Sequence, residues 1–117
     1  MKRILVIDDD DSSRESISSY LSECGYEVTT ANDGYEGLEL IRKSPPDLII
    51  SDNIMPKLYG VELAAVINAF KEKIPIIIIS AYNNFKKIAE DLNVFAFFLK
   101  PIDIHELKKK IGELNNE

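Results

Sequence analysis

The sequence predicts an α/β sandwich, a single doubly wound parallel sheet with helices on both faces. Two observations carry that expectation. Short aliphatic or β-branched runs recur at Ile4–Ile7, Val28–Ala31, Leu48–Ile50, Ile76–Ile79 and Val94–Leu99, with helically spaced segments between them. Most of these runs are nearly continuous in apolar residues, as strands are when helices cover both faces of a sheet. The order βαβαβαβαβα then calls for parallel strands joined by right-handed crossovers.

Each helix has its own signal. Ile17, Tyr20, Leu21 and Cys24 follow i, i+3, i+4, i+7, with Ser12 or Ser13 as the expected N-cap and Gly25 as the C′ residue. Tyr35, Leu38 and Ile41 mark the second helix, capped by Asn32 or Asp33. Leu63, Val66, Ile67 and Phe70 mark the third, and Phe85, Ile88, Ala89 and Leu92 the fourth. Ile104, Leu107, Ile111 and Leu114 mark the fifth, where Asp103 followed by Glu106 gives a capping-box pattern. Lys108, Lys109 and Lys110 read as a solvated face suited to the negative end of that helix. His105 reads as a surface or capping residue, and Asn115–Glu117 as a frayed tail.

At 117 residues the chain is expected to be one domain, 1–117, with 45% hydrophobic and 29% charged residues in ordinary globular proportion. A net charge of −6 argues against nonspecific binding to nucleic acid or an anionic membrane. Cys24 is the only cysteine, which excludes an internal disulfide, suits packing at a helix end and fits a reducing compartment. The opening MKRILVI ends at Asp8, too soon for a secretory signal, and no apolar stretch approaches the roughly 20 residues of a membrane span. The expected location is the cytoplasm.

The chemistry is written at the strand ends. Residues 4–12 read ILVIDDDDS, four aspartates in a row after a buried strand. Two carboxylates about 4 Å apart repel by roughly 4 kcal/mol near a protein surface, so a cation absent from the sequence is implied. The first strand ends at Asp8 and Asp9, the third (LIISD) at Asp52, the fourth (PIIIIS) at Ser80, and the fifth (FAFFLKP) at Lys100–Pro101. In open α/β sheets ligands bind beyond the carboxyl ends of strands, so three acids, a hydroxyl and an amine converge on one rim. Asp10 and Asp11 read as capping the next helix. The remaining set suits Mg²⁺, which takes a few carboxylate or carbonyl oxygens, keeps waters and prefers phosphate oxygens. A carboxylate in such a site can attack phosphorus to form an aspartyl phosphate, with metal, ammonium and hydroxyl neutralising the phosphoryl oxygens.

The chain resembles a response-regulator receiver domain of two-component signalling over essentially its whole length. The resemblance rests on Asp8–Asp9, on Asp52 with Met55–Pro56 and Gly60 (D-x-x-M-P-x-x-x-G), on Ser80–Ala81 and on Lys100–Pro101. It implies a flavodoxin-like (βα)5 fold with strand order 2-1-3-4-5. It also implies Asp52 as phosphoacceptor, with Mg²⁺ (or Mn²⁺) on Asp9, Asp52 and the Ile54 backbone carbonyl, and Asp8 assisting through water. Ser80 and Lys100 would hold the phosphoryl group, Phe97 would be the aromatic switch, and Lys100–Pro101 a cis peptide. Ser80 drawn towards a new phosphoryl group would vacate space for Phe97 and alter the surface of the fourth and fifth helices.

The implied donor is a histidine kinase or phosphotransfer protein. The implied target binds the face of the fourth helix, fifth strand and fifth helix, with the chain a monomer or a phosphorylation-dependent dimer. Such a domain is no enzyme beyond catalysing its own phosphorylation and dephosphorylation. The start at Met1 favours a free-standing or N-terminal receiver. Ile54 and Tyr82, apolar or bulky at positions that modulate phosphoryl lifetime, are expected to shield the acyl phosphate from water. Two departures concern turns: Tyr59 replaces the usual Asp or Asn before the turn glycine, and Asn93–Val94 stands where Gly-Ala is common.

Three other readings compete. Asp8 through Ser12 also satisfies the D-x-D-x-[ST] pattern of haloacid-dehalogenase-like phosphatases, with Asp8 as nucleophile. Those enzymes need a further acid pair after the lysine, and only Asp103 and Glu106 follow Lys100 with a single helix. A receiver-like interaction module that is never phosphorylated would have no need of the complete acid, hydroxyl and lysine set. A flavodoxin-type flavin binder needs a phosphate-cradling loop where this chain has four repelling aspartates.

Overall fold

The structure, a computed structural model, describes residues 2–115. Five strands and five helices alternate: β1 Arg3–Ile7, α1 Asp11–Glu23, β2 Glu27–Ala31, α2 Gly34–Lys43, β3 Leu48–Asp52, α3 Gly60–Asn68, β4 Ile76–Ser80, α4 Lys86–Asp91, β5 Ala96–Leu99 and α5 Ile104–Asn115. The sheet is wholly parallel in the order β2-β1-β3-β4-β5. The expected architecture and strand order are therefore both present.

The side-chain period of two divides each strand between two cores. Leu5, Ile7, Ile49 and Ile78 face a cluster with Leu38 and Ile41 of α2 and Leu63 and Ile67 of α3. Ile4, Val6, Leu48, Ile50, Ile77 and Ile79 face the other side, against Ile17 and Leu21 of α1 and Leu107 and Ile111 of α5. Apolar residues on both faces explain the unbroken runs of β3 and β4, which are buried throughout. β2 lies at the edge, and its Thr29 and Thr30 are exposed.

Helix boundaries differ from the expectation in instructive ways. The N-cap of α1 is Asp10, whose side chain accepts from Ser13 N, so neither serine caps it. Asp33 caps α2 by accepting from Glu36 N. Asp103 accepts from His105 N at 2.9 Å, one residue short of a capping-box bond to Glu106. α3 ends at Asn68, leaving Phe70 beyond it, and α4 is shortened by a 3₁₀ turn at Asn83–Phe85. Ile88, expected on the inner stripe of α4, is 47% exposed. At the fifth helix, Asn115 is helical and donates to the Tyr26 hydroxyl at 2.7 Å, so it is not part of a frayed tail. Residues 116 and 117 lie outside the described residues. Gly25 has φ 99°, the left-handed conformation expected of a C′ glycine.

Candidate functional site

Parallel register sets the functional strand ends side by side. Ile7 pairs with Ser51, Asp52 with Ile79 and Ser80 with Leu99, so the residues that end or follow these strands share one rim. One carboxylate oxygen from each of Asp8, Asp9 and Asp52 lies within 4.8 Å of the other two. Asp8 and Asp52 are buried, and Asp9 is exposed above them. The four-aspartate run divides accordingly. Asp8 and Asp9 enter the cluster, Asp10 caps α1, and Asp11 pairs with Arg14, whose guanidinium also donates to the Asp8 carbonyl at 2.8 Å.

Burial in this acidic cluster is costly, and the carboxyl groups register it. Asp8 is pushed up from 3.8 to about 6, chiefly by burial and further by the charges of Asp52 and Asp9, although the Asp10 N–H donating at 2.9 Å offsets part of the rise. Asp52 is also raised by burial, against the bond and charge of Lys100. Lys100 Nζ lies 3.0 Å from Asp52 Oδ1. Burial works to lower the Lys100 pKa, but the Asp52 bond and the surrounding carboxylates more than reverse it. A single ammonium therefore stands against three carboxylates. The donor set is all oxygen, compact and net negative, which fits a hard divalent cation such as Mg²⁺.

The other expected residues surround this centre. Ser80 is fully buried, and its Oγ accepts from Tyr82 N at 3.0 Å. Phe97 is half-buried on the α2–α3–α4 side of the sheet, paired in register with Ile78. The Lys100–Pro101 peptide is cis. Ile54 and Tyr82 follow Asp52 and Ser80 by two residues each, and are 38% and 59% exposed. His105, in the first turn of α5, is exposed. A cleft of about 810 Å³ opens beside Asp8 and Lys100 and runs between α1 and the β5–α5 connection.

Both departures from the family pattern are accommodated. Asn93 takes φ 58°, the left-handed conformation asparagine tolerates. Tyr59 needs no such conformation, since the positive φ of its loop falls at Lys57, 74°. Its N–H donates to Glu62 Oε1, and its ring stands edge-on to Phe85 at 5.5 Å.

Sequence reasoning missed the residues beneath the site. Asn53 is fully buried; its Oδ1 accepts from Val61 N at 3.1 Å and its carbonyl accepts from Gly60 N at 2.8 Å. Ser51, also fully buried, donates to the Asp52 carbonyl at 2.8 Å. Alternation along β3 was the available signal, because Ser51 falls on the same side as Ile49, the side packed against α2 and α3, and Asn53 continues that spacing just past the strand. Gly60 owes its identity to a close approach: a Cβ there would sit 2.8 Å from the Asp52 carbonyl oxygen.

The family model described as the response regulator receiver domain matches residues 4–112. The chain belongs to this family. It is a receiver domain of two-component systems, and the receiver assignment outweighs the phosphatase and flavin-binding readings. The chain is 35% identical over 114 residues to the response regulator MprA of Mycobacterium leprae, covering 96% of this chain and 50% of that protein. The receiver thus spans about half the length of the curated relatives it matches. Among solved structures, the response regulator TrrA of Thermotoga maritima in complex with Mg(2+)-BeF is 36% identical, with TM-score 0.89 and coverage of 97% of this chain and 99% of that one. The chemotaxis response regulator CheY4 of Vibrio cholerae is 30% identical, with TM-score 0.87 and coverage of 97% and 98%. Among the described residues of the receiver, no helix is long and apolar enough to cross a membrane.

Proposed function

We propose that this receiver takes a phosphoryl group onto Asp52 from a phosphohistidine of a histidine kinase or phosphotransfer protein. The observation that carries the reading is the meeting of Asp8, Asp9 and Asp52 oxygens within 4.8 Å, with the Lys100 ammonium 3.0 Å from the Asp52 carboxylate. A carboxylate oxygen of Asp52 attacks phosphorus and the P–N bond breaks. The departing imidazole keeps the electron pair and takes up a proton from solvent. Asp9, Asp52 and the Ile54 carbonyl would hold Mg²⁺, with Asp8 acting through water, and Mn²⁺ would fit the same oxygen set. When bound, the metal supplies positive charge against the phosphoryl oxygens. Lys100 and the Ser80 hydroxyl donate to the remaining oxygens.

Turning Ser80 towards the phosphoryl group breaks its bond with Tyr82 N and opens space for Phe97 to move inward. The affected surface is that of α4, β5 and α5, where Ile88 and Leu99 stand 47% and 46% exposed for a downstream protein. Ile54 and Tyr82 flank the phosphoacceptor loop and shield the acyl phosphate from water. The only reactions the domain catalyses are its own phosphorylation and dephosphorylation. It is one domain over 1–117, cytoplasmic, and a monomer or a phosphorylation-dependent dimer, and its net charge of −6 disfavours direct binding to nucleic acid.

Incubation with Mg²⁺ and a small phosphodonor, followed by mass spectrometry, tests the reading. The expected result is a single phosphoryl group on Asp52, absent from the Asp52→Asn variant. Modification that persists in that variant, or that maps to Asp8, overturns it.

A further inference from the structure

Asn53 puts a polar side chain at the buried junction of β3 and α3. It is fully buried, and its Nδ2 finds no hydrogen-bond partner among the described residues. An orphaned buried donor is a liability, and native proteins hold few of them. Leucine has the same branched heavy-atom skeleton and no donor to bury, so shape alone does not call for asparagine here. What the side chain does accomplish is done by Oδ1, which accepts from Val61 N at 3.1 Å in the first turn of α3. The Asn53 main chain is held as well, its N–H donating to the Ile79 carbonyl and its carbonyl accepting from Gly60 N, each at 2.8 Å. Asn53 therefore bolts the end of β3 to β4 on one side and to the N-terminus of α3 on the other.

The choice of amide also follows from charge. Aspartate would offer Val61 the same acceptor without the orphaned donor. It would also add a fourth carboxylate to a strand end where burial already raises Asp8 and Asp52. Serine would fall short in reach. Asparagine is the neutral acceptor of the right length.

We propose that Asn53 is a positioning residue. Its side-chain tie to Val61 fixes the turn between Asp52 and Met55, so that the Ile54 carbonyl is presented to the divalent cation. Glycine at 60 serves the same tie, because a Cβ there would meet the Asp52 carbonyl at 2.8 Å and the Asn53 Cα at 3.0 Å. The proposal rests on the cation site described above and adds to it a residue that touches neither metal nor phosphoryl group.

The experiment is a Mg²⁺ titration of Asn53→Leu, Asn53→Asp and wild type by calorimetry, with amide NMR of Ile54 as a second readout. Thermal unfolding checks that each variant is folded. Loss of the tie is expected to weaken Mg²⁺ binding about tenfold in Asn53→Leu, as for residues that orient metal ligands. Asn53→Asp keeps the acceptor and should bind Mg²⁺ at least as tightly as wild type. At saturating Mg²⁺, phosphorylation of Asn53→Leu by a small phosphodonor should return to about the wild-type rate, because Lys100 holds the Asp52 carboxylate independently. Should Asn53→Leu fail to fold, Gly60→Ala strains the same junction and is expected to weaken Mg²⁺ binding in the same direction. Unchanged Mg²⁺ affinity in the folded Asn53→Leu protein, or in Gly60→Ala where that variant alone folds, overturns the proposal. So does a loss of affinity equal in Asn53→Leu and Asn53→Asp, or a phosphorylation rate that stays low at saturating Mg²⁺. A wild-type protein that binds Mg²⁺ yet takes no phosphoryl group would sink the function reading alone.

Discussion

Replacing Asp8 with asparagine is expected to stabilise the metal-free protein while weakening its hold on Mg²⁺. The rise of the Asp8 pKa from 3.8 to about 6 means that ionising it in the folded state costs roughly 3 kcal/mol more than in the unfolded chain. The neutral amide escapes that cost and keeps an oxygen to accept from Asp10 N, which now approaches at 2.9 Å. Burial of the new NH₂ group returns some of the gain, so about 2 kcal/mol of net stabilisation at pH 7 is a reasonable expectation. For a chain of this size that is a rise in Tm of about 8 °C.

The pH dependence fixes the sign. A carboxyl with a raised folded-state pKa favours folding when protonated, an advantage complete below 3.8 and lost as pH rises through about 6. Metal-free wild type should therefore gain stability on acidification from pH 7 towards 4, and its gap to Asp8→Asn should shrink over that window. Asp52 is raised in the same direction, and removing the neighbouring Asp8 charge relaxes part of its repulsion in the variant, which adds to the stabilisation expected at pH 7. Saturating Mg²⁺ binds only the folded state and should bring wild type up to or above the variant, about 2.7 kcal/mol at a hundred times Kd. Thermal unfolding of both proteins at pH 7 and pH 4.5, with and without Mg²⁺, measures all of this. A Tm for metal-free Asp8→Asn equal to or below that of wild type at pH 7, or a gap independent of pH, would refute the electrostatic account.

Other perturbations follow from the same structure. Gly37→Ala places a Cβ 2.5 Å from the Cδ1 of fully buried Ile7, and overpacking of about 1–3 kcal/mol should outweigh the helix propensity gained. Gly112→Ala in α5 meets nothing within 4 Å and should stabilise by about 0.5–1 kcal/mol, so denaturant midpoints moving the same way in both would contradict the packing described. Ile54→Asn combined with Tyr82→Glu should speed loss of the phosphoryl group, measured by decay of the phosphoprotein; an equal or slower rate removes their shielding role. Lys100→Ala deletes the one ammonium 3.0 Å from Asp52 and should slow phosphorylation by a small donor about a hundredfold, with a near-normal rate counting against its role.

Much of this was legible because it depends on neighbours in sequence. Apolar runs and helical spacing placed all ten elements, and Asp8, Asp9, Asp52, Ser80 and Lys100 stood visibly at strand ends. Where several local candidates competed, the sequence left the choice open: Asp10, Asp11, Ser12 and Ser13 all read as possible caps, and the path of the chain leaving β1 selected Asp10. Ile88 matched the apolar stripe of α4 yet faces outward, since a helix so short covers little of the sheet. Asn53 and Ser51 passed unnoticed because alternation marks which side they face but not their partners: Ser51 bonds the Asp52 carbonyl, and Asn53 meets α3 only once the chain has folded.

The division has a physical origin. Periodicity, capping and turn chemistry act over a few residues, so the amino-acid order alone was enough to specify the alternating elements and the polar residues that terminate the strands. Interactions between carboxylates, an ammonium and a cation depend steeply on separation, and those separations are set by strand register and helix packing across distant parts of the chain. Folding is what brings Asp8 and Asp9 to Asp52, lifts Asp8 to about 6, and draws the first turn of α3 onto Asn53.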